Sequence, residues 1–111
     1  MNTAQKKFDQ LLLEAINEVL SSLGEPIKNY VFIHLENDFL ITKNEIPQKI
    51  EEFAHFLFRI FGSSAHYLDI KFMQTLYKKI SAHQNVGYQS IVFEKTDMTF
   101  LNYVSKMREN Y

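Results

Sequence analysis

Apolar residues recur at helical spacing along most of this chain. In residues 3–23 they fall at positions i, i+3, i+4 and i+7, the pattern of a helix that buries one face. These apolar positions are Phe8, Leu11, Leu12, Ala15, Ile16, Val19, Leu20 and Leu23. Gly24 and Pro26 come next, and they suit a helix end because glycine adopts the left-handed conformation and proline blocks continuation. The pattern predicts a first helix that ends near Leu23.

Residues 26–38 favour a second helix, with a strand as the open alternative. The residue types that strands favour are Tyr30, Val31, Phe32 and Ile33. The residues that share one helical face are Ile27, Tyr30, Val31, His34 and Leu35. Pro26 suits the first position of a helix, which adds to the helical interpretation. Residues 39–42 are then expected to form a short extended piece.

Residues 46–65 predict a third helix with both ends marked, and we expect it to be the central element of the fold. Pro47 suits the first turn, so the helix should begin near Pro47, and Gly62 suits its end. Glu51 and Glu52 would lie near the positive end of the helix dipole. The apolar stripe comprises Ile50, Phe53, Ala54, Leu57, Phe58, Ile60 and Phe61.

Two further helices complete the predicted fold. Ser63 or Ser64 can cap the fourth helix, residues 81–87 read as a loop, and Thr96 or Asp97 can cap the last helix. The inward face of the fourth helix would carry Ala65, Leu68, Phe72, Met73, Leu76, Tyr77 and Ile80. The last helix would bear Phe100, Leu101, Val104 and Met107. The prediction is one all-α domain over residues 1–111, a compact bundle of four to five helices with at most one small two-stranded β element, formed by residues 39–42 and 90–94.

Composition narrows the possible function classes. The chain has 111 residues, the size of one domain, and it has no cysteine, which argues against disulfides and thiolate metal sites. With 12 Lys and Arg against 13 Asp and Glu, the net charge of −1 gives no broad attraction to nucleic acid or anionic lipid. No apolar run approaches the roughly 18 residues that cross a bilayer. We therefore expect a cytoplasmic protein with no membrane, metal or cofactor association.

A further pattern runs from Tyr30 to Tyr77 and resembles the Nitrosopumilus output domain family of archaeal regulatory proteins. Its most specific part is EIP at residues 45–47 together with IFG at residues 60–62. The matching positions are Tyr30, His34, Leu35, Glu36, Glu45, Ile46, Pro47, Glu52, Phe53, Leu57, Ile60, Phe61, Gly62, Ala65, Leu68, Asp69, Leu76 and Tyr77. The pattern differs at Asp69, where the family has glutamate, and about the last 30 residues have no counterpart in it. The resemblance implies a small helical domain in a signalling pathway, without catalytic residues.

Three groups of side chains are candidates for a special role. His34 and Asp69 lie on apolar stripes, so a structural hydrogen bond between helices two and four, or separate exposure of the two side chains at a stripe edge, is favoured over a general base with its carboxylate. The candidate interface residues are Phe32, Phe56, Phe58 and Leu13, which lie beside or outside the main stripes. The candidate basic patch is Lys71, Lys78 and Lys79.

These observations favour a non-enzymatic regulatory or protein-interaction domain that acts through helical surfaces and self-associates, for example as a homodimer. No motif for a phosphate loop, a dinucleotide or a serine nucleophile occurs in the chain. The alternative is an accessory nucleic-acid-binding protein, for which the lysines of the basic patch would provide the contacts.

Overall fold

Five α-helices build the structure, a computed structural model that describes residues 3–83 and 99–111. The helices are α1 (Thr3–Ser22), α2 (Glu25–Phe39), α3 (Ile50–Phe61), α4 (Ala65–His83) and α5 (Phe100–Asn110). Two 3₁₀ turns, Lys43–Gln48 and Gly62–Ser64, lie on either side of α3. Neither described range contains a strand. The prediction of an all-α bundle is therefore confirmed.

The two longest helices, α1 and α4, form the most extensive helix contact in the described part of the chain. Seven of the eight apolar positions predicted for α1 are buried, while Leu23, just beyond the helix, stays 37% exposed. The buried residues of α4 are Ala65, Leu68, Ile70, Phe72, Met73, Leu76, Ile80 and Ser81. Each fully buried large side chain contributes about 1.5–3 kcal/mol, so this seam is the main source of stability. Helix α3, which the sequence predicts to be the central element, contacts α2, α4 and α5, each less extensively than α1 contacts α4.

Residues 26–38, for which a strand was the alternative, belong to helix α2. The end of this helix explains why no extended segment follows at residues 39–42. Leu40 adopts the left-handed conformation, with φ at 57°. Its amide donates to the carbonyl of Glu36 at 3.0 Å, and the next amide, of Ile41, donates to Leu35 at 3.4 Å. Such bonds satisfy the last helix carbonyls and reverse the chain direction. Residues 39–42 thus form a helix end and turn instead of a strand, and residues 90–94 lie outside the described ranges.

Helix α3 begins three residues later than predicted, because Pro47 belongs to the preceding 3₁₀ turn. Thr42 and Glu45 cap this turn: the Thr42 amide donates to the Glu45 carboxylate at 2.9 Å, and the Thr42 hydroxyl donates at 2.8 Å. The backbone bond is the main reason why the pKa of Glu45 is lowered. Ile46 is fully buried beside it. The EIP sequence therefore has a structural role, which is to anchor the entry into α3.

Helices α4 and α5 also differ at their ends from the sequence prediction. Helix α4 continues through residues 81–83, which were expected to be loop. Helix α5 is capped by Thr99, whose hydroxyl accepts from the amide of Asn102 at 3.1 Å. The predicted caps at residues 96 and 97 lie outside the described ranges. A serine or threonine cap is a local signal, so several nearby candidates compete for one helix start.

Arg108 ties the last helix to the first one and to the turn before α3. Its guanidinium bonds the Asp9 carboxylate, donates to the Pro47 carbonyl at 2.9 Å and lies 4.9 Å from the centre of the Phe8 ring. The side-chain amide of Gln48 also donates to Asp9, at 2.7 Å. Three elements that are distant in sequence therefore share one charged group.

Replacing Leu40 by glycine should stabilise the protein by about 0.5–1 kcal/mol. A left-handed non-glycine residue costs roughly 1–2 kcal/mol, part of which is offset by the greater freedom of glycine in the unfolded chain. Because Leu40 is 78% exposed, little buried area is lost. Urea denaturation measures the change, and Leu40→Ala, which keeps the strain, is the matched control. Equal stability of the two variants would contradict the prediction.

Arg108→Gln should lower the free energy of unfolding by about 1–2 kcal/mol. The substitution leaves the partly buried Asp9 carboxylate and the Pro47 carbonyl without their cationic partner. Arg59→Gln is a suitable control, since Arg59 is exposed and lies over a single ring, that of Phe39, at 5.9 Å. Chemical denaturation of both variants distinguishes the loss of the Arg108 contacts from a general loss of positive charge. A general loss of charge would lower the free energy of unfolding of both variants equally.

Candidate functional site

Helix α2 presents apolar side chains on two opposite sides. Val31 and Leu35 are fully buried, whereas Ile27, Tyr30 and Ile33 are exposed by 43%, 51% and 55%. We call these three exposed residues the α2 outer face. Large apolar groups in contact with water at three neighbouring helical positions are typical of surfaces that bind another molecule.

The sequence prediction placed part of this face in the core. Ile27 and Tyr30 were assigned to the same buried stripe as Val31, but the helix is rotated so that Val31, Leu35 and the half-buried Phe39 face inward. These three residues are spaced by four and are therefore an equally regular stripe. The signal for the rotation was present in the sequence, but periodicity alone could not choose between two apolar stripes.

The predicted pair of His34 and Asp69 does not form. His34 Nδ1 lies 3.6 Å from the carboxylate of Asp38, one turn later on the same helix, and its ring stacks on Tyr30 at a centroid distance of 4.1 Å. Asp69, which belongs to α4, instead lines a groove between α3 and α5. A partner at i+4 is already within reach before the helices pack, which explains why His34 uses it.

A second candidate surface is this groove, which we call the α3–α5 groove. It encloses about 350 Å³ and is lined by Glu51, Ala54, His55, Phe58, Asp69, Thr99 and Leu101. The ring of Phe58 forms part of its wall and is 66% exposed. Burial raises the pKa of the Asp69 carboxyl to about 6, although the charge of the nearby His66 opposes this shift. The groove thus combines apolar walls with two carboxyl groups.

The four predicted interface residues occupy different environments. Phe58 is exposed as expected, whereas Phe56 is 1% exposed and meets Phe39 edge to face at 5.3 Å. Phe32 and Leu13 are half-buried against the core, and the ammonium of Lys43 lies 5.3 Å from the Phe32 ring. Phe56 is therefore a core residue and not an interface residue. It lies beside the main stripe of α3, but neighbouring α2 covers that side as well.

The lysines of the predicted basic patch do not form one free positive surface. The Lys79 ammonium pairs with Glu18 at 2.8 Å and lies 3.9 Å from Glu14, both on α1. Lys71 and Lys78 are exposed on α4, on the side of the helix next to that of Lys79. Since the charge of Lys79 is compensated across the α1–α4 seam, the patch is weaker than the sequence indicates.

The described residues show no cluster of three or more His, Asp or Glu side chains that could hold a metal ion. Among the same residues, no helix has the length and apolar character needed to span a membrane. The lining of the α3–α5 groove includes Thr99 and His55, and the Thr99 hydroxyl already accepts a hydrogen bond from the Asn102 amide.

Comparison with known proteins finds similarity to a bacterial enzyme. The chain is 30% identical over 108 residues to the UDP-N-acetylmuramate–L-alanine ligase of Helicobacter pylori strain P12, which covers 96% of this chain and 23% of the ligase. The corresponding ligase of strain ATCC 700392 / 26695 is 29% identical over the same length. The chain thus spans about a quarter of the length of these relatives. No family model matches the chain. No solved structure matches it either.

Asp69→Asn should stabilise the protein at pH 7.5, and the gain should shrink as the pH falls towards 4. The carboxyl has a raised pKa in the folded protein, about 6 against an ordinary 3.8, so folding favours its protonated form. Its ionisation therefore costs stability as the pH rises from about 4 through 6, and an amide avoids this cost. Thermal unfolding at both pH values tests the prediction, with the exposed Glu36→Gln as control. A gain of equal size at both pH values would contradict it.

Proposed function

We propose that this chain is a non-enzymatic protein-interaction domain that self-associates through the α2 outer face. The observation that carries the proposal is the exposure of Ile27, Tyr30 and Ile33 on a helix whose opposite side is already buried in the core. Their burial is not needed to complete the fold, because Val31 and Leu35 attach α2 to its neighbours. The composition, with no cysteine, is compatible with action in the cytoplasm.

A second copy of the chain is the partner that this face suits best. In a two-fold dimer, the same patch meets itself, so each residue lies near its own copy or a close neighbour. The three residues of the α2 outer face are uncharged, while the adjacent His34 contacts the Tyr30 ring and faces the Asp38 carboxylate. An uncharged apolar patch can meet itself without repulsion between like charges, whereas a charged patch cannot.

The resemblance to output domains agrees with an interaction role and remains a prediction. Its most specific residues are explained by folding: Glu45 caps a turn, Ile46 is buried, and Gly62 has a positive φ of 59° at the end of α3. These residues therefore support a shared helical framework more than a shared binding site. A regulatory role within a signalling pathway is an extension of the proposal.

The similarity to the ligases of Helicobacter pylori is compatible with a helical module that accompanies other segments. The matched part amounts to 23% of the ligase of strain P12, so the rest of that enzyme has no counterpart in this chain. We therefore propose no ligase activity for this chain. The similarity supports instead the view that this type of helical segment can be part of a larger assembly.

Ile33→Lys should abolish self-association while it leaves the fold intact. The substitution places a charge on the α2 outer face, where desolvation in a dimer would be costly, but the exposed side chain is not needed in the monomer. Light scattering and sedimentation over a range of protein concentrations measure the mass. We expect a concentration-dependent dimer for the unmodified chain and a monomer for the variant.

The matched control is Tyr67→Lys, which puts the same charge on a 74% exposed aromatic residue of α4. It should leave the dimer unchanged. A monomeric mass of the unmodified chain at all concentrations would refute the proposal, as would equal effects of the two variants. Salt separates this proposal from the nucleic-acid alternative, because apolar association persists at high salt whereas phosphate binding weakens steeply.

A further inference from the structure

The α3–α5 groove has the features of a binding site that the self-association surface does not explain. Its volume of about 350 Å³ is at the lower end of the range for ligand sites, roughly 300–1,000 Å³. It is open to solvent, and the exposed ring of Phe58 forms a wall that a partner could cover. An open groove of this kind suits side chains of a peptide segment better than an enclosed small molecule.

Asp69 is the group that indicates the chemistry of the occupant. It is half-buried, and among the described residues the charge that acts on it is that of His66 on the same helix. Glu51 adds a second carboxyl to the lining, and the lining residues within the described ranges include no lysine or arginine. Partial desolvation of a carboxylate is costly, and a cation placed beside it would lower that cost.

The apolar part of the lining restricts the occupant further. Ala54, Phe58 and Leu101 present carbon surface next to the two carboxyl groups. A simple metal ion or a free amine would leave this surface uncovered. A segment that carries lysine or arginine beside leucine-like residues would cover both parts, since the stems of long basic side chains also pack on apolar groups.

We propose that the α3–α5 groove binds a basic, apolar segment of another protein, with Asp69 and Glu51 facing its cationic side chains and Phe58 covering its apolar ones. The site is separate from the α2 outer face and does not depend on self-association. Glu51 is exposed and Asp69 is half-buried, so both carboxyl groups are accessible to such a partner.

Binding at this groove should weaken as the pH falls through about 6. The titratable groups that face Asp69 are Glu51 and His55 from α3 and His66 from its own helix, while α5 contributes the uncharged Thr99 and Leu101. Protonation of Asp69 removes a negative charge from the groove. This loss disfavours a cationic partner.

Fluorescence polarisation with a labelled synthetic helix of leucine and lysine tests the proposal on the full chain. The comparison peptide has glutamate in place of every lysine. We expect the lysine peptide to bind at pH 7.5 and the glutamate peptide not to bind. Asp69→Asn and Phe58→Ala should each weaken binding by about fivefold or more, the effect of losing one charge pair or ring contact. Binding of both peptides with equal affinity, or of neither, would overturn the proposal.

The controls locate the peptide and identify the group that senses pH. Tyr67→Ala and Asp38→Asn, which change an exposed ring and an exposed carboxylate elsewhere, should leave binding unchanged. Asp69→Asn should also remove most of the difference between pH 7.5 and 5.5, whereas His55→Gln should keep it. Circular dichroism checks that each variant is folded.

Two further results would overturn the inference without affecting the proposed self-association. One is that the control variants weaken peptide binding as much as Asp69→Asn does. The other is that Phe58→Ala and Asp69→Asn abolish dimerisation, which would make the groove a contact with a second copy. Peptide binding that persists in monomeric Ile33→Lys would show that the two surfaces act independently.

Discussion

The seam between α1 and α4 is the contact on which the rest of the described structure depends. Both helices bury a continuous apolar face, and all other helices attach to one of these two or to a helix that does. Helix α2 and the 3₁₀ turn Lys43–Gln48 pack on α1, while α3 and α5 pack on α4. The free energy of the seam comes from removing large side chains from water. This hydrophobic effect is non-directional. More specific contacts at the edges of the seam must therefore set the angles of the smaller helices.

Polar contacts at these edges provide that specificity. Arg108 joins α5 to α1 and to the turn before α3, and Lys79 joins α4 to two glutamates of α1. Each contact is modest in free energy because the groups are partly exposed. Their geometry matters more than their strength, since a guanidinium that reaches both Asp9 and the Pro47 carbonyl allows little sliding of the helices.

The two candidate surfaces arise from the same architecture. Helix α2 has more apolar positions than one contact with α1 and α3 can cover, so one set stays in water. The α3–α5 groove exists because α3 and α5 both lean on α4 and leave Asp69 half-buried between them. One surface is apolar and uncharged, the other apolar and acidic, and this difference in charge is the reason to assign them different partners.

The amino-acid sequence by itself determined the all-α class, the extent of α1 and the inward faces of α1 and α4, because these depend on local periodicity and on strong stops such as Gly24. Tertiary structure decided which stripe of α2 is buried, since two stripes were equally regular and only packing against α1 and α3 distinguishes them. It also decided that Phe56 lies in the core, that His34 pairs with Asp38, and that Pro47 belongs to a turn anchored by Arg108. Helical periodicity is local in sequence, whereas burial and pairing depend on neighbours that are distant in sequence, such as Asp9 and Arg108, and only the folded chain brings them together.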